Sequence, residues 1–214
     1  MDFDSWEPLY EEILEDFGFS RKADEEAAEH LSELLETRED ILAELQALIK
    51  GKQVIVCGNA PSLRDELRAH DARDRPIIAA DGASAVLLDS GIVPQIIVTD
   101  LDGPFPAILE ANRKGSLVVV HAHGDNIDKI ERYVFQLKRV LGTTQSRPLK
   151  NVYNFGGFTD GDRCVFLARH LGAASIELMG FDFEDESVTF RKKKKLAWAR
   201  RLIDLLRPLS QVED

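Results

Sequence analysis

Short apolar runs alternate with helical stretches from residue 51 onward. The runs that predict β-strands are Val54–Cys57, Ile77–Ala80, Ile96–Thr99, Leu117–Val120, Asn151–Asn154 and Ser175–Met179. The stretches that predict helices are Ser62–Ala69, Ser84–Ser90, Pro106–Lys114, Ile127–Leu141 and Arg163–Leu171, and a last helix runs from Arg191 to near Pro208. This alternation predicts an α/β fold, a mostly parallel doubly wound sheet with helices on both faces.

The first 50 residues differ from the rest because they are rich in Glu, Leu and Ala, with Gly18 as their single glycine. Helical periodicity predicts one helix over Trp6–Phe17 and an unbroken second helix from Ala23 to Ile49. We therefore divide the chain into an N-terminal helical segment, 1–50, and an α/β domain, 51–214. The segment has no recognisable chemistry, so it either packs on the main domain or forms a contact in a homo-oligomer.

Composition and charge narrow the classes of function. The chain is 44% apolar and 30% charged, which is typical of a globular protein, and its formal net charge is −11. Such an acidic chain argues against a general nucleic-acid binder or a binder of anionic membranes. Its two cysteines lack CxxC spacing, and no apolar segment resembles a signal peptide or a membrane span, so we expect a cytoplasmic protein.

The strongest chemical signal is Asp100-Leu101-Asp102, which follows the apolar run Ile96–Thr99. Ligands bind at the carboxyl ends of strands in open α/β sheets, and two adjacent carboxylates need a cation or a shared proton. Mg²⁺ with a polyphosphate meets this need, because Mg²⁺ takes one or two protein carboxylates and completes its shell with water and phosphate oxygens. The alternative is a loop with two solvated acids.

Two further strand ends carry polar residues beside glycine. The first strand is followed by Gly58–Leu63, in which Asn59, the free backbone amides and Ser62 as a helix cap favour either a phosphate site or a plain strand-to-helix turn. The motif is neither GxGxxG nor a P-loop. The second strand is followed by Asp81-Gly82, which predicts an acid beside the Asp100 pair or a cap of the next helix.

The fourth strand ends in His121-Ala122-His123-Gly124-Asp125-Asn126. Two histidines near an acid suggest zinc, but no cysteine is close and we expect the two rings to point apart, so zinc is the less favoured interpretation. Asp125 fits a further Mg²⁺ ligand or a helix cap. His123 fits a contact to phosphate or substrate, or a structural role.

A glycine-rich loop from Asn154 to Arg163 and a basic run from Arg191 to Lys195 complete the candidate chemistry. The loop combines three glycines with two phenylalanines, two acids and an arginine, a mixture that favours binding of a flat ring, although either phenylalanine alone also fits the core. The basic run opens a helix, where cations oppose the macrodipole, which weakly favours an anionic partner. A solvated basic face is the more common explanation, and a functional run would favour a triphosphate over nucleic acid.

Together these motifs resemble the archaeal 6-hydroxymethyl-7,8-dihydropterin pyrophosphokinase (MptE-like) family, over residues 51–185. That family is similar in its catalytic domain to thiamin pyrophosphokinase. The resemblance implies Mg²⁺-dependent transfer of diphosphate from ATP to the hydroxymethyl group of a reduced pterin, with release of AMP, in methanopterin or folate-type pterin biosynthesis. Its partners would be ATP and the pterin, without nucleic acid or membrane.

The resemblance also assigns residues. It implies that Asp100 and Asp102 hold the metal, with Asp125 as the third metal acid, and that these three are the catalytic residues. The groups implied to bind nucleotide or pterin are Asn59, Ser62, Asp81, Gly82, His123, Asn126, Gly156, Gly157, Thr159, Asp160, Asp162 and Arg163.

Three alternatives stay open from the sequence. A thiamin pyrophosphokinase would differ only in its acceptor pocket. A nucleotide-sugar transferase is suggested because Gly58–Leu63 is similar to a turn in bacterial proteins implicated in flagellin glycosylation. A non-catalytic nucleotide or pterin sensor would bind ligand without forming AMP.

Overall fold

A computed structural model of the chain describes residues 1–35, 39–70 and 74–206. The strands are β1 (Gln53–Cys57), β2 (Ile77–Ala80), β3 (Ile96–Thr99), β4 (Leu117–Ala122), β5 (Val140–Thr144), β6 (Val152–Tyr153) and β7 (Ser175–Met179). The helices are α1 (Phe3–Phe17), α2 (Arg21–Leu34), α3 (Glu39–Ile49), α4 (Leu63–Ala69), α5 (Ala83–Asp89), α6 (Phe105–Arg113), α7 (Ile127–Tyr133), α8 (Asp160–His170) and α9 (Phe190–Leu206). A 3₁₀ turn covers Val134–Gln136.

The seven strands form one parallel sheet in the order β6-β5-β4-β3-β2-β1-β7. The chain adds strands in sequence order from β1 to β6, and α8 then crosses the sheet to reach β7 beside β1. Because such crossovers are right-handed, reversing the direction of travel moves the connecting helix to the other face. The predicted α/β fold, with helices on both faces, is confirmed.

The sheet is buried between two apolar layers. One layer joins the sheet to α4–α7 and to α2, which contributes Ala27, Ala28 and Leu31. The other joins it to α3, α8 and α9, and α3 contributes Ile41 and Leu45. Helix α1 packs in a third cluster against α8 and α9. The N-terminal helices therefore cover both faces of the sheet.

Two sequence predictions of secondary structure are wrong. The helix expected over Ile127–Leu141 ends at Tyr133, and Val140–Thr144 is instead a buried strand between β4 and β6. A short apolar run in a parallel sheet cannot be told from a buried helix by periodicity alone.

The unbroken helix expected from Ala23 to Ile49 is two helices. Leu35 has an extended backbone, with φ −101° and ψ 127°, which ends α2. The break allows α2 and α3 to pack on opposite faces of the sheet, which one straight helix cannot do. The predicted stop near Pro208 lies outside the described residues. Within the described parts of the chain, no helix is long and apolar enough to cross a membrane.

Candidate functional site

A cavity of about 660 Å³ lies at the carboxyl ends of the central strands. Its walls are the loops after β1–β4, the first turn of α8, one side of α9 and the segment between α1 and α2. The predicted site residues that line it are Asn59, Asp81, Gly82, Asp100, Asp102, His123, Asp125, Thr159, Asp160 and Arg163. Motifs that are separated by up to a hundred residues in sequence thus share one cavity.

Three carboxylates meet in this cavity. Oxygens of Asp81, Asp100 and Asp160 all lie within 4.8 Å of one another. Asp81 and Asp100 follow the neighbouring strands β2 and β3. Asp160 is the first residue of α8, and the loop before it brings the chain from the edge strand β6 to the centre of the sheet, where α8 packs on β1, β2 and β3. Burial and the charges of the neighbouring acids raise the pKa of Asp160 well above its ordinary value. Without a cation, crowding of the three carboxyl groups therefore opposes ionisation of Asp160.

Asp81 is held in place by its neighbours. The Thr99 hydroxyl donates a hydrogen bond to its carboxylate, and the Gly103 amide donates another. A Cβ on Gly103 would overlap the Asp81 carboxylate, so a larger residue there would displace that carboxylate. Burial, with the nearby charges of Asp100 and Asp102, raises the pKa of Asp81 to about 6.

Asp100 differs from Asp81 because a histidine stabilises its charge. Burial opposes ionisation of Asp100, but the hydrogen bond and charge of His123 outweigh it and hold the pKa well below its ordinary value. His123 Nε2 lies 3.3 Å from Asp100 Oδ2, and His123 Nδ1 accepts from the Asp125 amide at 3.3 Å. Nε2 is therefore the ring nitrogen that faces Asp100.

Asp102 and Asp125 line the cavity but lie outside the group of three acids. Both are exposed, and burial together with the charge of Asp100 raises the pKa of Asp102. The cap of α7 is at Asn126, so Asp125 is not the helix cap that the sequence left open. The geometry therefore favours Asp81 and Asp160, rather than Asp102 and Asp125, as companions of Asp100 in a metal site.

Two predicted binding residues, Asn126 and Asp162, support the loops around the site without lining its cavity. The buried Asn126 amide donates to the carbonyls of Asp100 and His121 at 2.8 Å, which ties the β3 and β4 loops together. Asp162 is fully buried and accepts from the Phe158 and Thr159 amides at the start of α8. These side chains do not line the cavity among the described residues, and their contacts are structural.

Two glycines of the α8 loop are required by packing. Gly156 and Gly157 have φ of 87° and 93°, and a Cβ on Gly157 would lie 2.8 Å from Arg163 Cα. Such backbone angles and close approach exclude larger residues. Phe155 and Phe158 are both buried in the core, as the alternative interpretation predicted, and Phe158 also packs on Phe17 and borders the cavity.

Two local predictions are wrong. Ser62 makes no side-chain cap on α4, because its backbone is already helical and its side chain is exposed. The rings of His121 and His123 do not point apart: their centroids are 6.2 Å from each other. Residues two apart on an extended segment share a face, which explains the approach. The pair nevertheless belongs to no group of three potential metal ligands in the described residues.

A buried network of polar side chains, which we did not predict from the sequence, joins the N-terminal helices to the site. Arg163 Nη2 donates to Gln145 Oε1 at 2.9 Å, and Gln145 Nε2 donates to Asp24 Oδ2 at 2.8 Å. The Tyr10 hydroxyl and the Gly124 amide also donate to Asp24, at 2.7 and 2.9 Å. Burial, together with the bond to Asp24, raises the pKa of Tyr10. Arg163 is thereby anchored 3.6 Å from Asp160 Oδ1.

A sequence signal for Asp24 does exist. Asp24, Ala27, Ala28 and Leu31 follow the i, i+3, i+4, i+7 spacing of one helix face, and all four are buried. An acid on an otherwise apolar face indicates a buried partner. The N-terminal segment therefore contributes to the candidate site, which its sequence alone did not suggest to us.

The acid cluster fits a hard divalent cation. All three donors are oxygens, and Asp160 Oδ1 is buried without a hydrogen-bond partner among the described residues. Arg163 Nη1, at 3.6 Å, pairs with this atom in charge but is too distant to donate a hydrogen bond. A cation at this point would satisfy the oxygen while offsetting the repulsion between the acids. Mg²⁺ prefers such ligands and keeps open positions for water or phosphate.

The raised pKa of Asp81 predicts how stability depends on pH. A carboxyl whose folded pKa is about 6, above its ordinary 3.8, gives stability that is present at low pH and lost as pH rises through 6. We therefore expect metal-free wild-type protein to lose up to about 3 kcal/mol relative to Asp81→Asn between pH 4 and 7. Urea unfolding of both proteins in EDTA measures this difference, and parallel pH curves would contradict it.

Fold and site together define an α/β protein with a carboxylate-lined cavity at the carboxyl edge of a parallel sheet, suited to a divalent cation and an anionic ligand. The chain matches the family described as 6-hydroxymethylpterin diphosphokinase MptE-like over residues 27–187. It belongs to this family.

Three curated relatives are named 6-hydroxymethyl-7,8-dihydropterin pyrophosphokinase. The protein of Methanocaldococcus jannaschii is 44% identical, over 100% of this chain and 99% of the relative. The protein of Methanothermobacter thermautotrophicus is 45% identical, over 96% and 95%. The protein of Pyrococcus furiosus is 45% identical, over 97% and 95%. The family resemblance found in the motifs is confirmed.

Proposed function

We propose that this protein transfers diphosphate from ATP to the hydroxymethyl group of 6-hydroxymethyl-7,8-dihydropterin in a Mg²⁺-dependent reaction that releases AMP. The observation that carries the proposal is the cluster of Asp81, Asp100 and Asp160 in a large cavity at the sheet edge. Membership of the family, and relatives of that name at 44–45% identity, support the choice of acceptor.

The acid cluster is proposed to hold the metal. Asp100 would be the leading ligand, because His123 keeps it ionised, and Asp81 and Asp160 would complete the protein donors. Bound Mg²⁺ supplies positive charge against the phosphates. Thr99 fixes Asp81 and Asn126 fixes the Asp100 backbone, so the donors are positioned before ligand arrives.

The transfer itself is a displacement at phosphorus. The acceptor hydroxyl oxygen forms a bond to the β-phosphorus, the bond from that phosphorus to the α-phosphate oxygen breaks, and AMP leaves with the electron pair while the hydroxyl proton is released. Such reactions depend on positioning and electrostatics. Asp102 and Asp125 line the cavity, and we assign them the orientation of the attacking hydroxyl.

The proposal is tested by product formation. Purified protein with ATP and MgCl₂ is incubated with 6-hydroxymethyl-7,8-dihydropterin, and AMP and the pterin diphosphate are measured by chromatography. We expect both products in equal amounts, and none in EDTA because the acid cluster then has no cation. Matched controls are thiamin and 6-methyl-7,8-dihydropterin, which lacks the hydroxyl.

Each outcome has a distinct meaning. AMP with thiamin and not with the hydroxymethyl pterin would replace the acceptor and retain the mechanism. Binding of ATP without AMP from either acceptor would contradict the proposal and favour a sugar transferase or a sensor. AMP with the 6-methyl compound would show hydrolysis rather than transfer.

A further inference from the structure

Helix α9 sorts its basic side chains between two surfaces. Lys194, Arg200 and Arg201 form ion pairs with acids outside the cavity: Asp16, Glu184 and Glu12, respectively. The other side of the helix presents Arg191, Lys192 and Lys195 to the cavity that contains the acid cluster. Within the described ranges of the chain, these three cations have no ion-pair partner.

Lys195 lies deepest of the three. Its side chain is half-buried, and its Nζ lies 5.8 Å from the centre of the Phe158 ring at the cavity edge. It is close enough to Asp100 and Arg163 for their charges to act on its own. A half-buried ammonium without an ion-pair partner pays for its lost hydration, so a ligand that restores the counter-charge is favoured.

Aromatic residues at the end of α1 and just after it contact the side of α9 that faces the cavity, which we call the basic wall. The Arg191 guanidinium lies 5.4 Å from the centre of the Phe19 ring, and Phe19 stacks on Phe17 at 5.4 Å. Phe17 in turn packs on Phe158 at 5.0 Å. Arg191 and Lys195 thus lie against aromatic rings at the mouth of the cavity.

The acids of the cavity make a basic wall necessary if a polyphosphate is to bind there. Eight aspartates line the cavity, among them Asp81, Asp100, Asp102, Asp125 and Asp160, so a polyphosphate would be repelled even with one divalent cation bound. We infer that Arg191, Lys192 and Lys195 bind the triphosphate of the nucleotide while the acid cluster holds its metal. This inference rests on the proposed function for the identity of the nucleotide, and α9 lies outside the residues matched by the family description.

The inference is tested with Lys195→Met, which keeps the apolar stem on Phe158 and removes the charge. Lys193→Met is the matched control, because Lys193 is exposed on the same helix and lines a separate surface groove. Calorimetry with Mg·ATP, inorganic tripolyphosphate and 6-hydroxymethyl-7,8-dihydropterin gives three Kd values for each protein. A lost charge-assisted contact predicts a Kd about tenfold higher for ATP and tripolyphosphate in Lys195→Met, with the pterin Kd unchanged.

The readouts separate this inference from the proposed function. Unchanged Kd values for ATP and tripolyphosphate in Lys195→Met would overturn the inference even if the protein forms AMP. An equal loss of ATP and tripolyphosphate affinity in Lys193→Met would also overturn the inference, because the effect would then be general electrostatic attraction. An equal loss of pterin affinity in Lys195→Met would overturn it as well. If Lys195→Met selectively loses tripolyphosphate binding but the wild-type protein forms no AMP, the phosphate site is supported and the proposed reaction is contradicted.

Discussion

Asp100→Asn is expected to lower kcat of diphosphate transfer by at least about 1000-fold while leaving the fold intact. Asp100 is the acid whose charge His123 stabilises, so it is the cluster member that retains full negative charge for a cation. The substitution keeps the side-chain shape and relieves repulsion with Asp81. The measurement is AMP formation with ATP, Mg²⁺ and the hydroxymethyl pterin, together with thermal unfolding.

Two further variants decide which acid completes the metal site. Asp160→Asn should lose activity nearly as fully as Asp100→Asn, because Asp160 lies within 4.8 Å of the other two acids. Asp125→Asn should lose about tenfold at most, since Asp125 is exposed and outside the cluster. The reverse order would favour Asp125 as the third ligand, as the sequence implied. Full activity in folded Asp100→Asn would contradict the metal assignment itself.

Asp24→Ala is expected to destabilise the protein by about 3 kcal/mol. Asp24 is 4% exposed and accepts hydrogen bonds from Tyr10, Gln145 and the Gly124 amide. Its removal leaves two buried donors and one partly buried donor without their acceptor. Because Gln145 also anchors Arg163, we expect activity to fall with stability even at temperatures where the variant is folded. Urea unfolding and the AMP assay measure the two effects.

Two controls make the Asp24 result specific. Tyr10→Phe removes a single donor from the same network and should cost about 1 kcal/mol. Glu29→Gln changes an exposed acid on the same helix and should stay within about 0.5 kcal/mol of wild type. A loss in Asp24→Ala no larger than in Glu29→Gln would show that the buried network does not join the N-terminal helices to the site.

Local sequence patterns predicted several strands and the main site candidates. The strands Ile77–Ala80, Ile96–Thr99 and Ser175–Met179 have the predicted bounds. The first two are apolar runs and the third alternates polar and apolar residues, and each is followed by glycine or a polar residue. The same reasoning found Asp81, Asp100 and Asp160 as site candidates. It failed at Val140–Thr144, where burial in a parallel sheet removes the alternation that distinguishes a strand from a helix.

The sequence by itself determined which chemical groups are present, because each motif is a local feature of the chain. These groups are the carboxylates, glycines and cations at the ends of predicted strands. Only the tertiary structure decided which of them meet. Asp160 joins Asp81 and Asp100 because the loop between β6 and α8 leads from the sheet edge to its centre. Asp24 reaches Gln145 because α2 packs on β4 and β5. These distances depend on strand order and helix packing, which are set by contacts between residues far apart in sequence and leave no periodic trace within any one motif.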